Sequence, residues 1–306
     1  MVYHYTSPEG LFEIIKKQNV RFTDCQYMND KSEFMYIREP LLKALRKCEG
    51  ELKFKHYSEL IDKEILVNYG ERTTEYIPPK AGSTNGHLQT SDKRHYVFCT
   101  SKSDDSLGMW NYYTKGKNYQ GYNIGFDEKK FVKDVVEKSS GAYNYTFKHF
   151  KIIYNEQNQI DMLVKFLRKV DEDIVKWCKN KKGEINRYDG DSISRMVLSG
   201  SLDYSKYQLM FKHPAYADEK EYRFVLSISD AKIDEFSETF KKDYFIRNGI
   251  ITPCCTMSFD RGSINNITVS PTMELKLVQY STDKLLIENG YSKRIEIKQS
   301  EIPVRF

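Results

Sequence analysis

Glu221-Tyr222-Arg223-Phe224-Val225-Leu226-Ser227-Ile228 is a run of aromatic and branched residues that reads as a strand, entered through the charged Glu219-Lys220. Working outward, Tyr96-Val97-Phe98-Cys99-Thr100 is a second buried strand, followed by a turn at Ser103-Asp104-Asp105 and a short helix around Trp110. Tyr122-Asn123-Ile124-Gly125-Phe126 alternates as a third, and Tyr143 to Tyr154 makes a longer one. Toward the N-terminus, Tyr3-His4-Tyr5-Thr6 is a short first strand. Ser7 then caps a helix with Pro8 at its first position and Leu11, Ile14 and Ile15 on its buried stripe. A strand near Val20-Arg21-Phe22 and a helix carrying Phe34, Ile37, Leu41, Leu42 and Leu45 follow, with helix continuing over 50–70. Toward the C-terminus, Ile264 to Ser270, a helix to about Asn289 and Arg294 to Lys298 form a terminal β-α-β unit. Strands and helices mix without regular alternation, which favours an α+β fold over a doubly wound sheet.

The 306 residues are expected to form a single α+β domain. Residues 72–93 are polar and rich in Gly, Pro, Ser and Thr, which reads as a flexible surface loop. The stretch 156–210 reads as a helical insertion, led by a periodic helix over 158–178 with Ile160, Leu163, Leu167, Val170, Ile174 and Trp177 on its inner face. With 40% hydrophobic and 30% charged residues the chain can build a sizeable core, and disorder is not expected. No apolar run reaches the ~18–20 residues of a membrane span, and no signal peptide is read at the N-terminus. None of the six cysteines forms a C-x-x-C pair, so free thiols and a cytoplasmic location are expected. Six scattered histidines without a metal-ligand spacing argue against a zinc enzyme. The net charge of +5 is compatible with a nucleic-acid partner and does not by itself require one.

Glycine-rich nucleotide loops and a nucleophile elbow are missing, so Rossmann, P-loop and α/β-hydrolase chemistry find no support. Three polar segments on strands remain. They are Tyr3-His4-Tyr5-Thr6, Phe98-Cys99-Thr100-Ser101 and Glu219-Lys220-Glu221. If Glu219 is already extended, its carboxylate and that of Glu221 share one face. Each segment also has an ordinary structural reading: a hydrogen-bonded histidine, turn-forming hydroxyls and a solvated strand entrance.

In that order, the three segments resemble the ADP-ribosyltransferase fold, in which a first strand supplies His or Arg, a second reads aromatic-x-[ST]-[ST] and a later one supplies [QE]-x-E. The resemblance implies a mixed β-sheet core with helical elaborations and cleavage of the nicotinamide–ribose bond of NAD. It implies that Glu221 stabilises the oxocarbenium-like transition state and Glu219 orients the accepting nucleophile. It further implies that His4, Tyr5 and Thr6 hold the cofactor, and that Thr100 and Ser101 brace Glu221. Trp110, Tyr113 or Tyr27 would stack on nicotinamide, with Asn29 beside them. The acceptor would be RNA or DNA somewhat ahead of protein, and the role that of a bacterial toxin, with an antitoxin partner, or of a phage-defence effector. A second resemblance spans most of the chain. Tyr3 to Ser7, Met28-Asn29-Asp30, Met109-Trp110, Glu219-x-Glu221-x-Arg223 and the ending Ser300 to Arg305 are similar to domain-of-unknown-function family 2971.

Two other functions compete. One is a non-catalytic nucleic-acid-binding module. The other is a metal-dependent nuclease using Asp30, Glu33, Glu219 and Glu221, for which no motif spacing speaks.

Overall fold

The computed structural model describes residues 1–28, 36–53, 73–77, 87–91, 93–114, 120–138, 145–178, 204–229, 240–247, 249–291 and 295–303. Asn29, Asp30, Glu33 and Phe34 lie outside the described residues, as does most of 50–70. The chain divides into two compact units. The first comprises Met1–Tyr27, His95–Lys151 and Ala217–Phe306, and the second Met28–Arg94 and Ile152–Tyr216. The 156–210 stretch thus joins residues 28–94 in a unit with packing of its own.

The first unit is built on β1 (Val2–Thr6), β2 (Asn19–Asp24), β5 (Lys93–Ser101), β6 (Tyr122–Phe126), β7 (Tyr145–Lys151), β8 (Glu221–Ser229), β9 (Phe240–Arg247), β10 (Ile250–Ser258), β11 (Ile264–Val269) and β12 (Glu296–Gln299). They form one ten-stranded sheet in the order β12-β11-β6-β1-β5-β2-β10-β9, with β8 paired to β5 and β7 to β8. β11 and β12 pair in parallel, across the terminal β-α-β unit whose helix spans Leu275–Glu288. Helix α1 (Pro8–Lys17) follows β1 directly. The Ser7 hydroxyl accepts the Gly10 N–H at 3.2 Å, and Gln18 closes the far end in the left-handed region at φ 50°.

Strand pleating decides which side chains meet. On β8 the even residues Tyr222, Phe224, Leu226 and Ile228 enter the main core with Val2, Phe22, Phe98, Phe126 and Phe131. Phe224 is its aromatic hub. It stacks on Phe98 at 6.1 Å and Phe147 at 6.3 Å and meets Phe131 edge-on at 4.8 Å. The odd residues of β1 face the other way, where Tyr5 packs with Met109 and Trp110.

In the second unit, α2 (Arg38–Cys48) lies against α5 (Glu156–Cys178), joined by Lys43–Glu156 at 2.5 Å and Lys47–Asp161 at 2.7 Å. The Tyr36 hydroxyl donates to Gln159 at 2.9 Å, and α6 (Tyr204–Met210) belongs to the same unit. The apolar stripe expected on α5 is buried at Ile160, Leu163, Leu167 and Val170, while the Ile174 and Trp177 side chains lie outside the described residues. The segment 72–93 is not a loop throughout. β3 (Thr73–Ile77) and β4 (His87–Ser91) pair antiparallel, Thr73 opposite Ser91 and Ile77 opposite His87. Two Thr, a Tyr and an Ile on β3 supply the strand-forming residues that the polar composition hides.

Candidate functional site

The three polar segments do come together in the first unit, but not around one cleft. Lys102 N–H donates to the Lys220 carbonyl at 2.9 Å, and the Thr100 hydroxyl to the Tyr222 carbonyl at 2.7 Å. Farther along, His95 meets Ser227 at 2.5 Å, so β5 and β8 run in opposite directions with 101 beside 221. Ser101 also donates to the Glu219 carbonyl at 2.7 Å. The two hydroxyls therefore fix the backbone on either side of Glu221 rather than its carboxylate.

Glu219 and Glu221 do not form the extended i, i+2 pair. Glu219 ends a 3-10 turn over Pro214–Glu219, and Lys220 sits in the left-handed region at φ 44°. The alternation needed for a shared face begins only at Glu221. That carboxylate is claimed by its own strand: Arg223 Nε and Nη2 donate to Glu221 Oε1 and Oε2 at 2.7 and 3.0 Å. Both residues are buried, Arg223 completely. A bidentate pair so placed is a structural clamp.

His4 lies on the opposite face. Its ring is 4.7 Å from that of Phe98, on the side of Val2 and Phe224, whereas Glu221 points away from its strand neighbour Tyr222. The expected convergence of His4 and Glu221 is therefore corrected. The face that holds Glu221 is also filled. Tyr5 and Trp110 are buried there, Tyr5 donates to the Ser103 carbonyl at 3.1 Å, and Trp110 Nε1 donates to Asp105 at 2.7 Å. Asp105 also receives Ser300 Oγ at 2.7 Å and Glu301 N–H at 2.8 Å, which closes this layer with the C-terminal segment. Trp110 is thus unavailable for stacking on a ligand. Tyr113 packs beside it half-buried, Thr6 sits half-buried on β1, and Tyr27 stands exposed in the turn after β2.

The carbonyl of Cys99 can only accept, so the 3.0 Å contact from His4 is made by an Nδ1–H. Burial, with the nearby Arg21 charge acting the same way, pulls the His4 pKa down to about 4. The folded state therefore disfavours a proton that the unfolded chain accepts near 6.5. This contribution is complete above pH 6.5 and declines as the pH falls toward 4. Wild-type stability should fall by about 2 kcal/mol from this group between pH 7.5 and 5. A His4→Asn variant, which keeps a donor toward Cys99, should show that much less pH dependence in urea unfolding.

A groove on the same unit shows a different chemistry. It opens between α4 (Glu128–Lys138) and β7, encloses about 370 Å³, and is lined by Glu128, Lys129, Val132, Lys133, Val136 and His149. At its rim the Tyr222 hydroxyl gives its one proton to Glu128 Oε1 at 2.6 Å, and His149 Nδ1 lies 2.5 Å from the Tyr222 hydroxyl oxygen. The histidine is therefore the donor of that contact, through Nδ1–H. Lys102 Nζ reaches Glu128 Oε2 at 2.5 Å and lies 4.2 Å over the Tyr222 ring. Burial alone would raise the Glu128 pKa, but its bonds from Lys102 and Tyr222 outweigh that and hold it low. Burial and the Glu128 charge together push the Tyr222 phenol up. The result is a fixed chain, carboxylate to phenol to imidazole, ending at an exposed ring. None of its members was singled out in the sequence. The basic helix start Glu128-Lys129-Lys130 was its one visible sign, and His149 has no motif around it. Among the described residues no group of His, Cys, Asp and Glu is placed to hold a metal ion.

Residues 109–224 match the model of a family described as "Protein of unknown function (DUF2971)", which supports the second of the two resemblances. The match takes in α4, β7 and the start of β8, the elements that carry the groove. A type II restriction enzyme, CviAII of Paramecium bursaria Chlorella virus 1, is 26% identical over 184 residues, covering 54% of this chain and 53% of its own length. The chain thus spans about half the length of this curated relative. No solved structure matches it. No helix among the described residues is long and apolar enough to cross a membrane.

Proposed function

We propose that this chain binds nucleic acid and meets the phosphate backbone at the α4–β7 groove. The observation that carries this reading is the groove itself, an open concave surface with Lys129 and Lys133 standing exposed along one wall and His149 on the other. Exposed lysines on one helix face pair with phosphates and displace condensed counterions, the sequence-independent part of nucleic-acid affinity. The similarity to a type II restriction enzyme and the net charge of +5 both support the reading. Transfer of ADP-ribose from NAD, with a toxin or phage-defence role, would need a site other than the His4 and Glu221 pair, which occupies two faces of the sheet.

The test is a Lys129→Ala, Lys133→Ala double variant in an equilibrium binding assay with a labelled oligonucleotide across a series of salt concentrations. With a single-stranded oligonucleotide, binding should weaken and the slope of log affinity against log salt should become shallower by about 1.4, about 0.7 for each lost phosphate contact. An unchanged slope would show that nucleic acid does not bind here.

A further inference from the structure

The groove is unlike a surface built for a rigid duplex. Its size, about 370 Å³, sits at the lower end of small-ligand sites, which span about 300–1,000 Å³. Beside the two lysines its lining is apolar, made by Val132 and by Val136, which is 52% exposed. Across from them stands an aromatic ring whose orientation is locked from two sides. Behind it, His149 lies on Phe224 at 6.1 Å with the planes 30° apart, and Phe224 lies on Phe98 at 6.1 Å and 26°. The exposed imidazole is the outer end of an aromatic ladder that begins in the core. At its edge the 2.5 Å contact with Tyr222, itself held by Glu128 and Lys102, stops the ring from turning. A planar ring fixed before binding loses little freedom when another plane stacks on it.

We infer that this groove takes one unstacked nucleotide of a single strand, its base against His149 and the two valines and its phosphates toward Lys129 and Lys133. The inference rests on the proposed function and adds to it a preference for single-stranded over duplex ligand. A duplex keeps its bases stacked and offers only phosphates to a side groove, whereas a single strand can splay a base onto an aromatic face. Glu128, the one acid in the lining, is paired with Lys102, and the exposed Lys133–Glu137 pair at 3.5 Å is one that a phosphate would displace.

The experiment compares binding of oligothymidylate, oligouridylate and a duplex, each of about 12 nucleotides or base pairs, to wild type, His149→Ala and His149→Phe. Wild type should prefer both single strands to the duplex. His149→Ala should lose about tenfold or more of single-strand affinity while duplex affinity changes less than twofold, and His149→Phe, which keeps a ring, should restore most of it. Thermal unfolding of each variant checks that the fold is intact. Duplex binding as tight as single-strand binding, or an equal loss for both with His149→Ala, would overturn the inference and leave nucleic-acid binding standing. Absence of binding to all three ligands would overturn the proposed function itself.

Discussion

Glu221→Ala should unfold the first unit at far lower denaturant than wild type, a loss of about 3–5 kcal/mol. The reason lies in what stays behind. Arg223 is fully buried, and two of its guanidinium N–H groups are engaged at 2.7 and 3.0 Å by the one carboxylate. Removing the acid takes the bidentate acceptor away from a buried cation, and with it the part of the desolvation cost that those two bonds offset. The partner experiment separates this account from a plain cavity effect. A Glu221→Met, Arg223→Met double variant removes both charges and keeps similar volume, so it should lie much closer to wild type than Glu221→Ala. A catalytic glutamate would behave differently, since its alanine variant would fold as well as wild type and lose only turnover.

Phe224→Ala is expected to cost about as much, 3–5 kcal/mol, for a different reason. The ring is fully buried and touches Phe98, Phe131, Phe147, His149 and Tyr222. Its removal opens a cavity at the meeting point of β5, β8, β7 and α4, where no neighbour can collapse without shifting a strand. The same variant loosens the support under His149, so nucleic-acid affinity should fall along with stability. Equilibrium unfolding in urea, read by tyrosine and tryptophan fluorescence, measures the first effect. A loss below about 1 kcal/mol would mean that Phe224 is not the hub of this core.

Much of the architecture could be read from periodicity. The capped α1 helix, the apolar runs at 96–100, 122–126 and 221–228, the long helix after 155 and the terminal β-α-β unit all carry local signals strong enough to be seen. The β9–β10 hairpin was missed. Phe240 is buried, but Lys241 to Tyr244 are exposed in succession, so β9 has no alternation to detect, and β10 contains Pro253. Two-unit packing was hidden for a related reason. Residues 28–94 and 152–216 are far apart in sequence, and only their mutual contacts make them one unit.

The site failed to appear in the sequence for a sharper reason. Alternation along β8 already says that Glu221 and Tyr222 face opposite ways. Whether the face of Glu221 is also that of His4 depends on how β1 and β8 register against β5, and register is a non-local property. Tyr3 pairs with Ser101, which puts the odd residues of β1 with the odd residues of β5 and leaves His4 on the core side with Phe98. One residue of slippage would have given the converged arrangement that the motif order implied. His149 and Glu128 illustrate the reverse case. Nothing local links them, and they meet because Tyr222, on the strand that pairs with β7, bonds to both.

The salt dependence of oligonucleotide binding by the unmodified chain tests the central claim most directly. If the α4–β7 groove grips a phosphate backbone, affinity should fall linearly in log–log form as salt rises, with a slope of about −1.4 or steeper from Lys129 and Lys133 on a single strand. Affinity that is undetectable at low salt, or that does not change as salt rises, would contradict it.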